Sequence, residues 1–244
     1  MTSTNDGSLE GRSPLQACGW LQAARRLPGL TILHSFRRPR TRQTARAQER
    51  FGKEAVVGGV CKVAATIDTD GRIVQLAQFQ ELAYGERDGS VSPRMERLHA
   101  FMQGAGFDAR LSRSIEYEMW EKWTMLATLG GITCLMRGNI GEVVAAPGGA
   151  SFILGFLDEV VSVVSAAGEA PTAAFLDAAG KTLTTPGSTQ SPSMFRDLQQ
   201  GSPIEAEQII GDLLARGARV AIATPLLAAA YAHLSVYQQR LAAV

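Results

Sequence analysis

Residues Ile115–Met136 read IEYEMWEKWTMLATLGGITCLM. The stretch is long and mostly apolar, which predicts a buried helix. Lys122 interrupts it, because at about 100° per residue its side chain points between Leu126 and Leu129. Such a lysine either lays its methylene groups along apolar surface so that the ammonium reaches water, or lies over a cleft as a proton donor or anion binder. The second role needs a carboxylate partner or an anionic substrate, since burial disfavours the charged form.

Helical patterns fill the rest of the chain after Ser114, with glycines and prolines at their ends. The longest apolar stretches, such as SFILGFLDEVVSVV (151–164), are interrupted by charges, so no membrane span of roughly 18 apolar residues is expected. We therefore predict that residues 115–244 form an all-α domain. Its further helices are predicted at 140–146, 149–167, 173–184, 193–200, 205–216 and 225–243.

Residues 48–114 have a mixed pattern. A β-branched run at 55–67, an Asp-Gly turn and a second run at 72–85 predict a hairpin. A Ser-Pro helix start, a helix and a short strand at 107–112 follow, as in the last part of an α/β unit. GAGFDA at 104–109 fits the loose G-x-G-x-x-A pattern for dinucleotides, but it ends a helix and enters a strand, so it is not that site. The chain contains no other such glycine loop.

Composition excludes several classes of function. The net charge of +1 over 244 residues gives no global reason to expect binding to nucleic acid or to an acidic membrane surface. The three cysteines and three histidines are scattered, which predicts no disulfide framework and no metal site. A reduced, cytoplasmic protein is expected.

The first 47 residues differ from the rest. They are rich in small polar residues and then in arginine, as in RRPRTRQTARAQER at 37–50. The segment could act as a basic arm for phosphates of a nucleic acid or as an organelle-targeting segment. The simplest expectation is a disordered leader.

Residues 193–214 supply a candidate site beside the lysine. Ser193 falls at or near a helix N-cap, where its hydroxyl and the neighbouring N–H groups could bind a carboxylate, or could only cap the helix. Glu205 lies at the start of the next helix. An acid there could belong to a site or could only complement the helix dipole.

Four stretches together resemble the ketopantoate reductase (2-dehydropantoate 2-reductase) family, over roughly residue 48 to the C-terminus. The last of them, which resembles S-M-x-x-D-x-x-x-G-x-x-T-E, is the most specific. The four are RFGKEAVVGGV (50–60), EMWEKW (118–123), NIGEVVAAPGG (139–149) and SMFRDLQQGSPIEAEQIIG (193–211).

The resemblance implies a fold and an activity. It implies part of a Rossmann-type NADPH domain followed by a helical domain resembling the C-terminal domain of 6-phosphogluconate dehydrogenase. The implied reaction reduces a 2-oxo acid, ketopantoate, to pantoate for pantothenate biosynthesis. Lys122 would then donate a proton from a cleft between the domains, Ser193 and Asn139 would bind substrate, and Glu205 would serve the cofactor. A homodimer is a further expected partner arrangement.

Three departures from the family pattern modify these expectations. Leu126 and Gly130 stand where the family has asparagines, which suggests a more apolar 2-oxo acid or no such substrate. Ile204 replaces the family threonine. The first fifty residues match nothing in the family, so we expect a truncated or frame-shifted reading frame. The alternative function is a non-catalytic family member that acts as a helical dimerisation or binding module.

Overall fold

The computed structural model of the protein describes residues 31–32, 47–68 and 70–243. Its sheet has the strand order β1 (Thr31–Ile32), β2 (Val56–Ile67), β3 (Ile73–Gly85) and β4 (Asp108–Leu111). The β2 and β3 strands are antiparallel, as predicted for a hairpin, whereas β1–β2 and β3–β4 are parallel pairs. The two residues of β1 fall inside the predicted disordered leader and are an exception to it. Most of that leader lies outside the described residues.

The β2–β3 hairpin is irregular in its outer half. Its turn is held by Asp68, whose carboxylate accepts hydrogen bonds from the N–H groups of Asp70 and Arg72, at 2.9 and 2.8 Å. The register shifts between Val63 and Ala65, so that a longer piece of β3 opposes a shorter piece of β2. Leu76 and Phe79 lie in this bulged piece with more than half of their surfaces exposed.

Helix α1 (Pro93–Met102) lies between β3 and β4 in the chain and covers one face of the sheet. Ser92 caps it by accepting a hydrogen bond from Met95 N–H, and proline occupies the first turn, as the Ser-Pro start predicts. The contact forms a small apolar core of Val57, Leu82, Tyr84, Met95, Leu98 and Met102. Glu86 and Arg94 fasten the start of α1 to the end of β3 through two hydrogen bonds of 2.5 and 2.6 Å.

The described residues after β4 form helices. The bounds of these helices agree with the predicted ones to within a few residues. The largest difference is α7, which begins as a π-helical turn, Glu207–Gly211, and continues as Asp212–Arg219, three residues further than predicted. The others are α2 (Ile115–Met136), α3 (Ile140–Ala145), α4 (Gly149–Ala167), α5 (Ala173–Leu183), α6 (Ser193–Gln199) and α8 (Pro225–Ala242).

Helix α2 runs through the centre of the helical bundle. Its middle is buried on all sides, including Ala127, Gly131 and Ile132. Together with its neighbours α4, α7 and α8, it contributes most of the large apolar core. Gly131 lies against the ring of Phe156 in α4. The predicted fold class, a small α/β unit followed by an all-α domain, is confirmed.

Helix α4 is long and apolar enough to cross a membrane by those two criteria alone. Its buried residues Phe156 and Val160 belong to the bundle core. On a half-buried part of the same helix, the Glu159 carboxylate accepts hydrogen bonds from the N–H groups of Leu226 and Leu227, all at 3.0 Å. These contacts are those of a core helix that also caps the start of α8.

Candidate active site

Lys122 lies where the helical bundle meets the sheet. It is half-buried on α2, and its Nζ donates a hydrogen bond to the backbone carbonyl oxygen of Cys61 in β2. The side chain therefore spans from the central helix to the sheet, and its ammonium points at a strand.

Gly58 explains how α2 comes so close to β2. A Cβ atom at residue 58 would lie 2.8 Å from Cγ2 of Ile115 and 3.0 Å from Sδ of Met119, which is closer than side chains pack in protein interiors. Without a side chain there, the first turns of α2 rest on the strand, where Ile115 and Met119 share a core with Val60 and Ala83. The next turn then brings Lys122 to Cys61.

A cavity of about 290 Å³ lies beside the lysine. Half of its lining side chains are apolar, namely Val60, Met125, Leu126 and Phe175. The other half are charged, namely Lys62, Glu118, Glu121 and Lys122. Small-molecule sites typically have volumes of roughly 300–1,000 Å³, so this cavity suits a small ligand. Its mixture of ammonium groups and apolar walls suits a ligand with one anionic end and one apolar end.

Glu118, one helical turn before Lys122, is held by groups from the end of the sheet. Arg110 donates to its two carboxylate oxygens at 2.9 and 2.6 Å, and the Ser112 hydroxyl donates at 2.6 Å. Burial alone would raise the pKa of Glu118, but the hydrogen bonds from Arg110 and Ser112 outweigh it and hold the pKa below its ordinary value. Glu118 thus stays ionised and bound to Arg110.

Glu81 extends this network to the second lysine of the cavity. Its carboxylate accepts from Arg110 at 2.8 Å and from Lys62 at 3.2 Å. Burial acts to raise the pKa of Glu81, yet these cations lower it overall, and the two glutamates raise the pKa of Arg110. The result is a continuous row of ion pairs that positions Lys62 at the cavity, next to Lys122.

Glu121 connects the cavity to helix α5. Its Oε1 accepts hydrogen bonds from the N–H and the hydroxyl of Thr172, at 3.1 and 2.7 Å. Thr172 is in turn the N-cap of α5 and accepts from Phe175 N–H at 3.2 Å. This chain of contacts fixes Phe175 as a wall of the cavity.

Two tryptophans beside Lys122 anchor α2 on its other side. The guanidinium carbon of Arg216 lies 5.5 Å from the ring centre of Trp120 and 5.4 Å from that of Trp123, which is within the range of cation–π attraction. Trp123 also donates through Nε1 to the carbonyl of Ile209, at 3.1 Å. These contacts set the rotation of α2, and with it the direction of Lys122.

Ser193 is the first helical residue of α6, and its side chain is exposed. The N-cap is Pro192, so Ser193 lies directly beside the cap, which agrees with the prediction that it falls at or near an N-cap. Met194 is buried, and its terminal carbon lies 2.6 Å from the position that a Cβ atom on Gly130 would take. The side chain of Met194 on α6 therefore fills the space that a side chain at residue 130 would need. By the resemblance, this is one of the positions at which the family has an asparagine. The carboxylate-binding role of Ser193 stays a prediction.

Asn139 and Glu205 both lie at helix starts. Asn139 forms a capping box with Glu142: its side-chain oxygen accepts from Glu142 N–H at 3.0 Å, and its own N–H donates to the Glu142 carboxylate at 2.7 Å. Glu205 is half-buried just before α7, and its carbonyl accepts from Ile209 N–H at 2.9 Å. Each has a structural role, and the predicted roles toward substrate and cofactor stay predictions.

Several residues that line the cavity were not among the site residues predicted from the sequence. The alternation of side chains along β2 places Val60 and Lys62 on one face, and the spacing of Glu118 and Lys122 places them together on α2. Both signals were present in the sequence. Nothing in the local pattern points to Phe175, which reaches the cavity only through the packing of the bundle.

Comparison with known proteins agrees with this architecture. The family described as the C-terminal domain of ketopantoate reductase PanE/ApbA matches residues 114–238. An uncharacterized oxidoreductase, YkpB, from Bacillus subtilis is 27% identical over 188 residues, which are 77% of this chain and 62% of that protein. A 2-dehydropantoate 2-reductase from Archaeoglobus fulgidus is 30% identical over 167 residues, or 66% of this chain and 54% of that protein.

A solved structure has the same fold. The 2-dehydropantoate 2-reductase from Geobacter metallireducens superposes with a TM-score of 0.67 at 25% identity, covering 79% of this chain and 64% of that protein. The fold is thus shared with this 2-dehydropantoate 2-reductase. The chain belongs to the ketopantoate reductase family, and it spans less than two thirds of the length of these relatives.

Proposed function

We propose that the protein is a 2-dehydropantoate 2-reductase-like oxidoreductase that reduces a 2-oxo acid with NADPH, ketopantoate being the substrate that the family implies. The observation that carries the proposal is the position of Lys122, whose ammonium lies beside a small cavity between sheet and bundle. The place in pantothenate biosynthesis rests on the same family relation, whereas the cytoplasmic location rests on the sparse, scattered cysteines.

Lys122 would act as the general acid. When a hydride adds to the ketone carbon, the electron pair of the C=O bond moves to the oxygen, and that oxygen takes a proton from the Lys122 ammonium. An ammonium has three N–H donors, and the bond to the Cys61 carbonyl uses one of them. An anionic substrate favours the charged ammonium, which is the form that donates a proton.

NADPH would supply the hydride in this reaction. Among the described residues, 104–109 are the one stretch with a dinucleotide-like glycine pattern, and they end α1 and lead into β4. They do not begin a helix, so they do not form a pyrophosphate site of the usual kind. The described residues therefore fit the substrate side of the reaction better than the cofactor side.

The glycine pattern supports a second candidate function. A family member without a phosphate-binding turn could serve as a helical dimerisation or binding module. This is the alternative function expected from the sequence. Titration of the folded chain with NADPH by calorimetry separates the two functions. Saturable binding supports the reductase, whereas a folded chain that binds no NADPH and reduces no 2-oxo acid supports the module.

Lys122→Met tests the general acid. The loss of the donor is expected to lower kcat/KM for 2-oxo acid reduction by about 10²–10⁴-fold, measured by the absorbance of NADPH. Lys181→Met is a matched control, because Lys181 is an exposed lysine on α5, and it is expected to leave the rate unchanged. Unaltered turnover by Lys122→Met would rule out this role.

A further inference from the structure

The cavity beside Lys122 also indicates which 2-oxo acid it takes, an inference that rests on the proposed function. We propose that the substrate has a small, branched, apolar side chain without a hydroxyl group, and that Leu126 determines this selectivity.

The cavity is polar at one end of its α2 wall and apolar at the other. Glu118 and Glu121 precede Lys122 on the helix, whereas Met125 and Leu126 follow it. Leu126 is one turn after Lys122 and therefore faces the same side of α2. A ligand whose keto oxygen meets the ammonium, and whose carboxylate lies toward the charged end, places its side chain beside Leu126.

The polar groups of the lining are engaged away from that apolar end. Glu118 accepts hydrogen bonds from Arg110 and Ser112, and Glu121 accepts from Thr172. The other apolar residues of the lining, Val60 and Phe175, offer no side-chain donor or acceptor. A hydroxyl group on the substrate side chain would thus lose its hydration without gaining a side-chain partner there.

The size of the cavity limits the side chain as well. At about 290 Å³, it accommodates a short branched acid more readily than a long one. Leaving one hydroxyl unpaired in a protein interior is expected to weaken binding by about tenfold or more.

Two acids that differ in a single hydroxyl test the inference. They are 3,3-dimethyl-2-oxobutanoate and its 4-hydroxy derivative, ketopantoate. Each is titrated by calorimetry into the full chain, with and without NADPH. The wild type is expected to bind the first acid about tenfold more tightly or better. Leu126→Asn, which adds an amide at the apolar end, is expected to shift the ratio of the two dissociation constants by about tenfold toward ketopantoate.

Two further variants are measured, one as a control and one as a replacement for Leu126→Asn. Leu154→Asn makes the same replacement at an exposed leucine of α4 and is expected to leave the ratio unchanged. Leu126→Gln offers a second amide at the cavity in case Leu126→Asn does not fold. Circular dichroism establishes that each chain is folded before its ratio is compared.

Each outcome decides a different point. Equal binding of the two acids, or tighter binding of ketopantoate by the wild type, would overturn this inference and leave the proposed reductase intact. An unchanged ratio in both Leu126 variants would remove Leu126 as the determinant. No binding of either acid by a folded wild-type chain would overturn the proposed function and this inference together.

Discussion

Replacement of Gly131 by alanine tests the central packing of the bundle. Gly131 is buried in the middle of α2, and a Cβ atom there would lie 2.2 Å from Cζ and 2.7 Å from Cε1 of Phe156. Phe156 is fully buried, and its ring packs edge-on against Phe152 with ring centres 6.0 Å apart. Because the ring is fully buried, we expect α2 and α4 to separate to admit the methyl group.

The expected magnitude follows from two opposing effects. Alanine in a helix interior is normally more stable than glycine by about 0.8–1 kcal/mol. Overpacking of a well-packed core costs about 1–3 kcal/mol, and a contact as short as this one falls at the upper end. The free energy of unfolding is therefore expected to fall by about 2 kcal/mol for Gly131→Ala, which corresponds to a decrease in Tm of roughly 4–8 °C.

The measurement is urea unfolding followed by far-ultraviolet circular dichroism. Gly180→Ala is the matched control, because Gly180 is also helical and no atom lies within 4 Å of its Cβ position. That variant is expected to gain about 0.4–1 kcal/mol, so the two substitutions should have opposite signs. A Gly131→Ala chain as stable as the wild type would refute the packing of α2 against Phe156.

Two further predictions concern charged groups. The pKa of Glu118 is lowered in the folded protein from its ordinary value of 4.5, so its stabilisation is present above that value and is lost as the pH falls through the lowered pKa. Glu118→Gln should therefore flatten the acid side of the stability–pH curve, and an unchanged slope in urea unfolding would contradict the Arg110 pairing. Glu159→Ala should lower the free energy of unfolding by about 1 kcal/mol and speed hydrogen exchange at the amides of Leu226 and Leu227, whereas unchanged exchange would exclude this cap.

The helices were predictable because their signals are local. Apolar spacing and the glycines that follow gave both ends of Ile115–Met136 and of Gly149–Ala167. The π-helical turn at Glu207–Gly211 was not predictable, because it depends on a distant helix. Tyr231 donates to the Glu207 carboxylate, and its ring fills the space where a Gly211 side chain would be.

The candidate site likewise has one part that was predictable from the sequence and another that was not. Lys122 stood out because it breaks an apolar pattern, and that break is visible in the sequence alone. Its contact with Cys61, and the support of Glu118 by Arg110, join segments that are far apart in the chain. No periodicity couples such segments, so only the folded structure brings the cavity together.

The stacking of Arg216 on Trp120 and Trp123 gives the protein an optical reporter. The chain has three tryptophans, and these two lie within two residues of Lys122, in contact with a cation whose position depends on α7. Their emission is expected to respond to any movement of α2 relative to α7. A Trp20→Phe chain would confine tryptophan emission to this pair, so that events at the lysine could be followed without an added label.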